Sequence, residues 1–292
     1  MVKKLTDLGG SVRVDPSSPA AFWPTRRVVT DVRYYDGKMP TADMMAGGDP
    51  SDGTLVEFRR VIVEIKGRRI VGPVDLSVTA GETVVLLGRS GAGKTTLLKL
   101  VNDLRQPTRG AVRVNGRSTK DWNVVALRRR IGYVIQEVGL FPHWTVERNV
   151  GVVPRLEGWP AGRTQGRVAE LLALVGLDPE TFMARYPHQL SGGQRQRVGV
   201  ARALAADPPL LLCDEPFGAV DPVTRRELQD EFRALAARLH KTVLFVTHDV
   251  REAVRLADRI AVLHEGSLTF VGSPDEFAAS RDCHVEAFRQ SA

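Results

Sequence analysis

The chain reads as an α/β protein built on a parallel sheet, and three observations lead there. Segments of strand pattern and helix pattern alternate along most of its length. Two of the strands, Glu82–Leu87 and Leu210–Asp214, are nearly unbroken apolar runs, the composition of strands covered on both faces. The first of them enters a glycine-rich loop that opens directly into a helical pattern.

The elements follow in order. Leu55–Ile65 alternates as a strand, Gly67–Arg69 reads as a turn, and Val74–Val78 alternates again before Gly81. After the apolar strand Glu82–Leu87 comes a helix over Thr95–Leu104, then a strand at Gly110–Val114 with a tight turn at Asn115–Gly116. Ile131–Gln136 is another strand. From Val138 to about Leu190 the pattern is mostly helical, interrupted at Pro142, Pro154 and Pro160, with helical spacing over Arg163–Val175. Ser191–Ala206 is a helix with Ser191 placed as its N-cap. Leu210–Asp214 and Thr242–Thr247 are buried strands, and Arg225–Leu239 and Val250–Ala257 are helices. Ile260–His264 and Ser267–Val271 form a hairpin about Gly266, followed by a short helical tail over 276–292. Residues 1–52 stand apart. They are rich in Pro, Gly, Ser and Asp, Met39–Asp52 has no apolar period, and the stretch reads as a poorly ordered extension with one short element around Ala21–Tyr35.

Composition narrows the function classes. At 292 residues, 43% hydrophobic and 26% charged, the chain has room for one large domain with appended segments. No stretch reaches the roughly 18–20 apolar residues that cross a bilayer, and Lys3–Lys4 precede no apolar segment of a secretory signal. The expectation is a protein kept in the cytoplasm that meets a membrane only through a partner. Cys213 and Cys283 are too few for a disulfide framework or a four-cysteine zinc site, and Cys213 lies in an apolar run as a buried thiol. The net charge of +7 falls beyond residue 52, because residues 1–52 carry seven basic and seven acidic side chains. It is dispersed over Arg59–Arg60, Arg68–Arg69 and Arg128–Arg130, which reads as a solvated surface beside an anion site rather than a nucleic-acid patch.

The anion site is the stretch Gly88-Arg89-Ser90-Gly91-Ala92-Gly93-Lys94-Thr95, which fits Gly-x-x-x-x-Gly-Lys-Ser/Thr (Walker A) between a strand and a helix. Its glycines let backbone N–H groups turn toward phosphates, and the helix opening at Lys94-Thr95-Thr96 adds partial positive charge. Lys94 reaches the β- and γ-phosphates of ATP, and the Thr95 hydroxyl ligates Mg²⁺. Leu210–Asp214 then ends in two acids at a strand's carboxyl end, where open α/β sheets bind ligands. Asp214 is placed in the Mg²⁺ shell, and Glu215 as the group that orients and deprotonates an attacking water.

Leu190-Ser191-Gly192-Gly193-Gln194, continued by Arg195-Gln196-Arg197, resembles the signature of ABC transporter ATPases. Ser191 caps a helix, and Gly192 and Gly193 let its backbone N–H groups approach a phosphate, which makes a second anion site. The resemblance covers roughly residues 55–275 and implies a P-loop core with an antiparallel β subdomain and an inserted helical subdomain at about 138–206. The ATPase domain is then 53–275. It further implies that Gln136 is the Q-loop glutamine that senses Mg²⁺ and faces the permease, that Gly218–Asp221 is the D-loop, and that His248 contacts the γ-phosphate. Members of the family work as head-to-tail dimers with ATP between the loop of one subunit and the signature of the other. One ATPase domain therefore implies a homodimer, peripheral on the cytoplasmic face of the inner membrane, bound to transmembrane permease subunits and indirectly to an extracytoplasmic substrate-binding protein. The chain departs from the family near Gly67, where an aromatic residue usually stacks on adenine and this sequence has Ile65 and Lys66.

Within the family, Ile131–Leu156, Tyr186–Leu190 and Asp214–Arg225 are similar to importers of glycine betaine, choline and carnitine. Importers of amino acids or phosphate and lipid transporters remain open alternatives, as does a soluble ABC ATPase. The short stretch after the core carries no expectation of the paired regulatory domain found in many of these relatives.

Overall fold

The computed structural model describes residues 53–218 and 220–290. The extension expected over 1–52, with its short element around residues 21–35, lies outside the described residues. Strands β1 (Thr54–Ile65) and β2 (Arg68–Thr79) form an antiparallel hairpin through Lys66–Gly67, both at positive φ, the backbone a two-residue hairpin turn needs. Strand β3 (Thr83–Gly88) leads through the glycine loop into α1 (Lys94–Val101). Strands β4 (Arg109–Val114) and β5 (Arg117–Ser118) join across the expected Asn115–Gly116 turn and complete a four-stranded sheet of order β2-β1-β4-β5.

Helix α2 (Val124–Arg129) precedes β6 (Ile131–Val134), and the stretch read as mostly helical resolves into α3 (Val146–Val150), α4 (Val152–Leu156), α5 (Ala161–Leu174) and α6 (Pro179–Phe182). Then come α7 (Gly192–Leu204), β7 (Leu210–Asp214), α8 (Pro222–Arg238), β8 (Thr242–Thr247) and α9 (Val250–Leu256). The hairpin β9 (Arg259–His264) and β10 (Ser267–Gly272) precedes α10 (Pro274–Ala279) and α11 (Cys283–Gln290).

Several boundaries differ from the sequence reading: β2 begins at Arg68, so Arg68 and Arg69 pair with Ile65 and Glu64 instead of lying in the turn, and three other ends have a local reason. Helix α1 stops at Val101, not Leu104, because Asp103 takes positive φ and the Asn102 side chain accepts from Leu104 N at 3.2 Å. Strand β6 stops at Val134 rather than Gln136, where the Ile135 carbonyl accepts from Val138 N and closes a turn. Helix α8 starts at Pro222, three residues before Arg225, because proline is tolerated in a first turn that Asp221 caps.

The second sheet has the order β10-β9-β3-β8-β7-β6, parallel from β9 to β6 with β10 antiparallel at the edge. Its strands alternate between two cores. Val85, Leu87, Leu211, Cys213, Val243 and Phe245 face the core shared with α3, α5, α7, α8 and α9. Val84, Leu86, Leu210, Leu212, Leu244 and Val246 face the core shared with α1 and the first sheet. Both faces are covered, which is why these strands are unbroken apolar runs. Among the described residues no helix is long and apolar enough to cross a membrane.

Candidate functional site

Register brings the candidate residues together. In the parallel ladder Leu87 pairs with Thr247 and Asp214 pairs with Val246, so β3, β8 and β7 end nearly level. The glycine loop, Thr247–His248 and Asp214–Glu215 therefore emerge at one edge from three adjacent strands, the position where open parallel sheets bind ligands. Val134 pairs with Cys213, so β6 ends beside them, and Gln136 lies exposed two residues beyond.

The loop is shaped by close approach. A Cβ on Gly93 would stand 2.5 Å from Val71 Cγ2, and one on Gly88 would stand 2.6 Å from the Leu263 carbonyl. Gly93, at φ 99°, is the N-cap of α1, so its backbone turns the loop into the helix. Arg89, Ser90 and Gly91 are exposed, Ala92 and Gly93 are buried, and Thr95 and Thr96 are half-buried on the first turn. A concave run of main-chain N–H groups at a helix start is a cradle for phosphate.

Lys94 is only 5% exposed. Its Nζ donates to the carbonyls of Gly88 at 2.7 Å and Arg89 at 3.0 Å and lies 4.0 Å from Glu215 Oε1. Burial lowers its pKa, and the charges of Glu215 and Asp214 oppose that shift. Thr95 Oγ1 donates to Asp214 Oδ1 at 2.9 Å, tying the first turn of α1 to the end of β7. Burial raises the Asp214 pKa, the Thr95 hydrogen bond opposes it, and Glu215 adds to it.

Glu215 follows at φ 45°, a left-handed backbone uncommon for a non-glycine residue and of the kind that collects at functional sites. Its N–H is held by the Val246 carbonyl at 3.0 Å, and its Oε2 lies 3.1 Å from His248 Nδ1. His248 is well exposed, while Asp249 turns back to cap α9 through the N–H groups of Arg251 and Glu252.

A buried carboxylate with a raised pKa, hydrogen-bonded to a threonine hydroxyl, is a hard-oxygen donor set suited to Mg²⁺, which usually takes few protein ligands and completes its shell with phosphate and water. No group of three or more His, Cys, Asp and Glu side chains that could hold a metal occurs among the described residues. The residues present fit the sparse form of site.

The second expected anion site has a different geometry. Ser191 Oγ accepts from Gln194 N at 3.2 Å while Gln194 Oε1 accepts from Ser191 N at 3.0 Å, a reciprocal cap on α7. Asp221 caps α8 through Thr224 N at 3.0 Å, which holds its carboxyl below the usual range. The two helix starts meet, since a Cβ on Gly193 would lie 3.2 Å from Thr224 Cγ2. The side-chain bonds of Ser191, Gln194 and Asp221 thus stay within their own helix ends, whereas Lys94, Thr95, Asp214, Glu215 and His248 form one cluster.

One neighbour of that cluster was not singled out in the sequence. Tyr133 of β6 lies on the same sheet face as Asp214 and hydrogen-bonds it, and burial together with that carboxylate pushes the phenol up to about 12. A polar-tipped aromatic in a short strand beside the acidic strand end was the available signal.

Comparison with known proteins gives consistent matches. The family model described as ABC transporter matches residues 71–218. The choline transport ATP-binding protein OpuBA of Bacillus subtilis (strain 168) is 51% identical over 223 residues, covering 76% of this chain and 58% of that protein. The glycine betaine uptake system ATP-binding protein YehX of Escherichia coli (strain K12) is 47% identical over 220 residues, covering 75% and 71%. A solved dimer of the ATP-binding cassette MJ0796 in a post-hydrolysis state bound to ADP and Pi superposes with a TM-score of 0.68 at 32% identity, covering 75% of this chain and 99% of that one. The chain thus spans less than two thirds of the length of OpuBA, and more of YehX.

Proposed function

The chain belongs to the ABC transporter family, and from that premise we propose that it is the ATP-binding and ATP-hydrolysing subunit of an importer for osmoprotectants of the glycine betaine and choline type. The observation that carries the enzymatic reading is the cluster of Lys94, Thr95–Asp214 and Glu215–His248 at the aligned ends of β3, β7 and β8. The substrate reading rests on the relatives named for choline and glycine betaine at about half identity.

In this reading the N–H groups of Arg89–Gly93 and the start of α1 at Lys94-Thr95-Thr96 hold the phosphates of ATP. Two of the three Nζ hydrogens of Lys94 are spent on the Gly88 and Arg89 carbonyls, which aims the ammonium and leaves one for phosphate. Thr95 and Asp214, with Gln136, would hold Mg²⁺, which when bound neutralises phosphate charge. Glu215 accepts a proton from the water that attacks the γ-phosphorus as the bond to the bridging oxygen breaks and ADP leaves. His248 holds Oε2 of Glu215 and reaches the terminal phosphate. Ser191, Gly192, Gly193, Gln194 and Asp221 serve the nucleotide of a second copy, which suits their separation from the cluster and the dimeric cassette this chain superposes on. The working unit is a homodimer on the cytoplasmic face of the membrane, bound to permease subunits that receive substrate from an extracytoplasmic binding protein.

The test is Glu215→Gln. Hydrolysis is expected to fall by about 10²–10⁴-fold, the range for a lost general base, while a nucleotide-bound dimer accumulates. Phosphate release at the wild-type rate would refute the assigned role. Uptake of labelled betaine and choline by cells carrying or lacking the chain decides the substrate, and equal uptake in both would overturn it.

A further inference from the structure

A second buried carboxylate lies behind the cluster and takes no part in the chemistry above. Glu252, on the first turn of α9, is 6% exposed. Its Oε1 accepts from Nε2 of Gln229, itself a buried residue of α8, at 3.0 Å. The Thr247 hydroxyl bonds the same carboxylate. Thr247 Oγ1 also accepts from Asp249 N at 3.0 Å, so its one proton is free for Glu252 while its lone pairs receive the N–H beyond His248. Arg225, one turn before Gln229 on α8, adds positive charge on that side. Burial raises the Glu252 carboxyl above its usual range, and the Thr247 and Gln229 hydrogen bonds oppose it.

We propose that Glu252 is a positioning residue for His248. Both residues flanking His248 are tied into the bond chain Asp249 N–H to Thr247 hydroxyl to Glu252 to Gln229. His248 itself is largely exposed and its ring meets Glu215, so apart from that contact the ring is placed by the backbone that carries it. The same chain fastens the His248 turn to α8, whose N-terminal turn packs on Gly193 at the start of α7. A shift of the α7 and α8 N-termini is thereby passed to the residue that touches Glu215.

The donor inventory makes the proposal sharp. Gln229 Nε2 and the Thr247 hydroxyl are both donors, so position 252 must supply two acceptors. Glu252→Ala supplies neither acceptor, leaving the Gln229 amide and the Thr247 hydroxyl as buried donors without a partner. Gln229→Glu combined with Glu252→Gln restores each bond with the acid on the other helix, still facing Arg225.

This inference rests on the proposed role of His248 in hydrolysis, so the experiment has one readout with ATP and one without. In Glu252→Ala the kcat for ATP is expected to fall about tenfold, the scale of one unpaired buried donor, with KM changing far less, as for a contact that acts chiefly in the transition state. In the nucleotide-free protein the His248 ring resonances should shift or broaden. The double variant should recover both. Wild-type kcat and unmoved His248 resonances in Glu252→Ala would overturn the proposal, as would a double variant Gln229→Glu/Glu252→Gln that behaves like Glu252→Ala. An inactive wild-type chain would refute the hydrolytic reading instead, and the His248 resonances would still decide the positioning.

Discussion

Replacing Gly93 by alanine separates two costs that the phosphate loop imposes on its residues. Gly93 has φ 99° and ψ 2° as the N-cap of α1, and a left-handed backbone costs an L-residue about 1–2 kcal/mol. The added methyl would also stand 2.5 Å from Val71 Cγ2 and 3.1 Å from the Ile70 carbonyl. Val71 is fully buried in β2 and the carbonyl is backbone, so neither can swing aside, and such overpacking costs about 1–3 kcal/mol. The sum is about 2–5 kcal/mol. Gly91 supplies the control: it has φ 81° but nothing within 4 Å of a built Cβ, so Gly91→Ala bears only the backbone cost of about 1–2 kcal/mol. The assay is urea unfolding of the nucleotide-free chain. With an m value of about 3 kcal/mol per M, Gly93→Ala should lower the midpoint by about 1 M and Gly91→Ala by about half that or less. Equal midpoints for the two variants, or an unchanged midpoint for Gly93→Ala, would refute the packing argument.

Two further outcomes follow from burial. Cys213 is buried and its thiol is pushed well above its usual pKa by desolvation, whereas Cys283 is exposed. Iodoacetamide should label Cys283 alone in the folded chain and both residues in denaturant, and rapid native labelling at Cys213 would contradict the packing of β7. The Asp214 pKa is raised in the fold above the ordinary 3.8, so its contribution to stability is full below that value and lost as pH rises through the folded pKa. Asp214→Asn should therefore unfold at higher urea than the wild type at neutral pH, with the gap closing as pH falls toward 3.8, while hydrolysis is lost. A gap that does not vary with pH would show that the carboxylate's charge is not the cause.

The parallel core was legible because burial on both faces leaves a simple mark. Leu210–Asp214 and Thr242–Thr247 were read with the bounds they have in the structure. The start of α8 at Pro222 rather than Arg225 was not legible from helical spacing alone, since in the first turn proline lacks only an N–H that has no partner there in any case. The site was legible in its parts, since the loop Gly88–Thr95 and the pair Asp214–Glu215 are contiguous in sequence. Their assembly was not, because the 3.1 Å contact of Glu215 with His248 depends on β8 lying between β3 and β7, and strand order is not written in any one strand. Tyr133 and Glu252 escaped notice for a related reason. A tyrosine in an apolar strand and a glutamate in a first helical turn are ordinary alone, and both gain meaning from partners far away in the chain.

The electrostatics of the cluster explain why such a site is held ready at a cost. Burial pushes Lys94 and Asp214 in opposite directions, each toward its neutral form, and each is drawn back by its neighbours. Lys94, 4.0 Å from Glu215 Oε1, partly offsets both carboxylates, and Lys99 adds positive charge on the Asp214 side. A divalent cation beside Asp214 and a polyphosphate beside Lys94 would each relieve a different part of that imbalance. The carbonyls of Gly88 and Arg89, the Thr95 hydroxyl and the strained backbone of Glu215 hold these charges in place. Charges held by the fold in this way are the kind that act most strongly on a reacting phosphate. The same imbalance predicts that metal and nucleotide stabilise the fold more together than separately, because either alone leaves part of the charge unpaired.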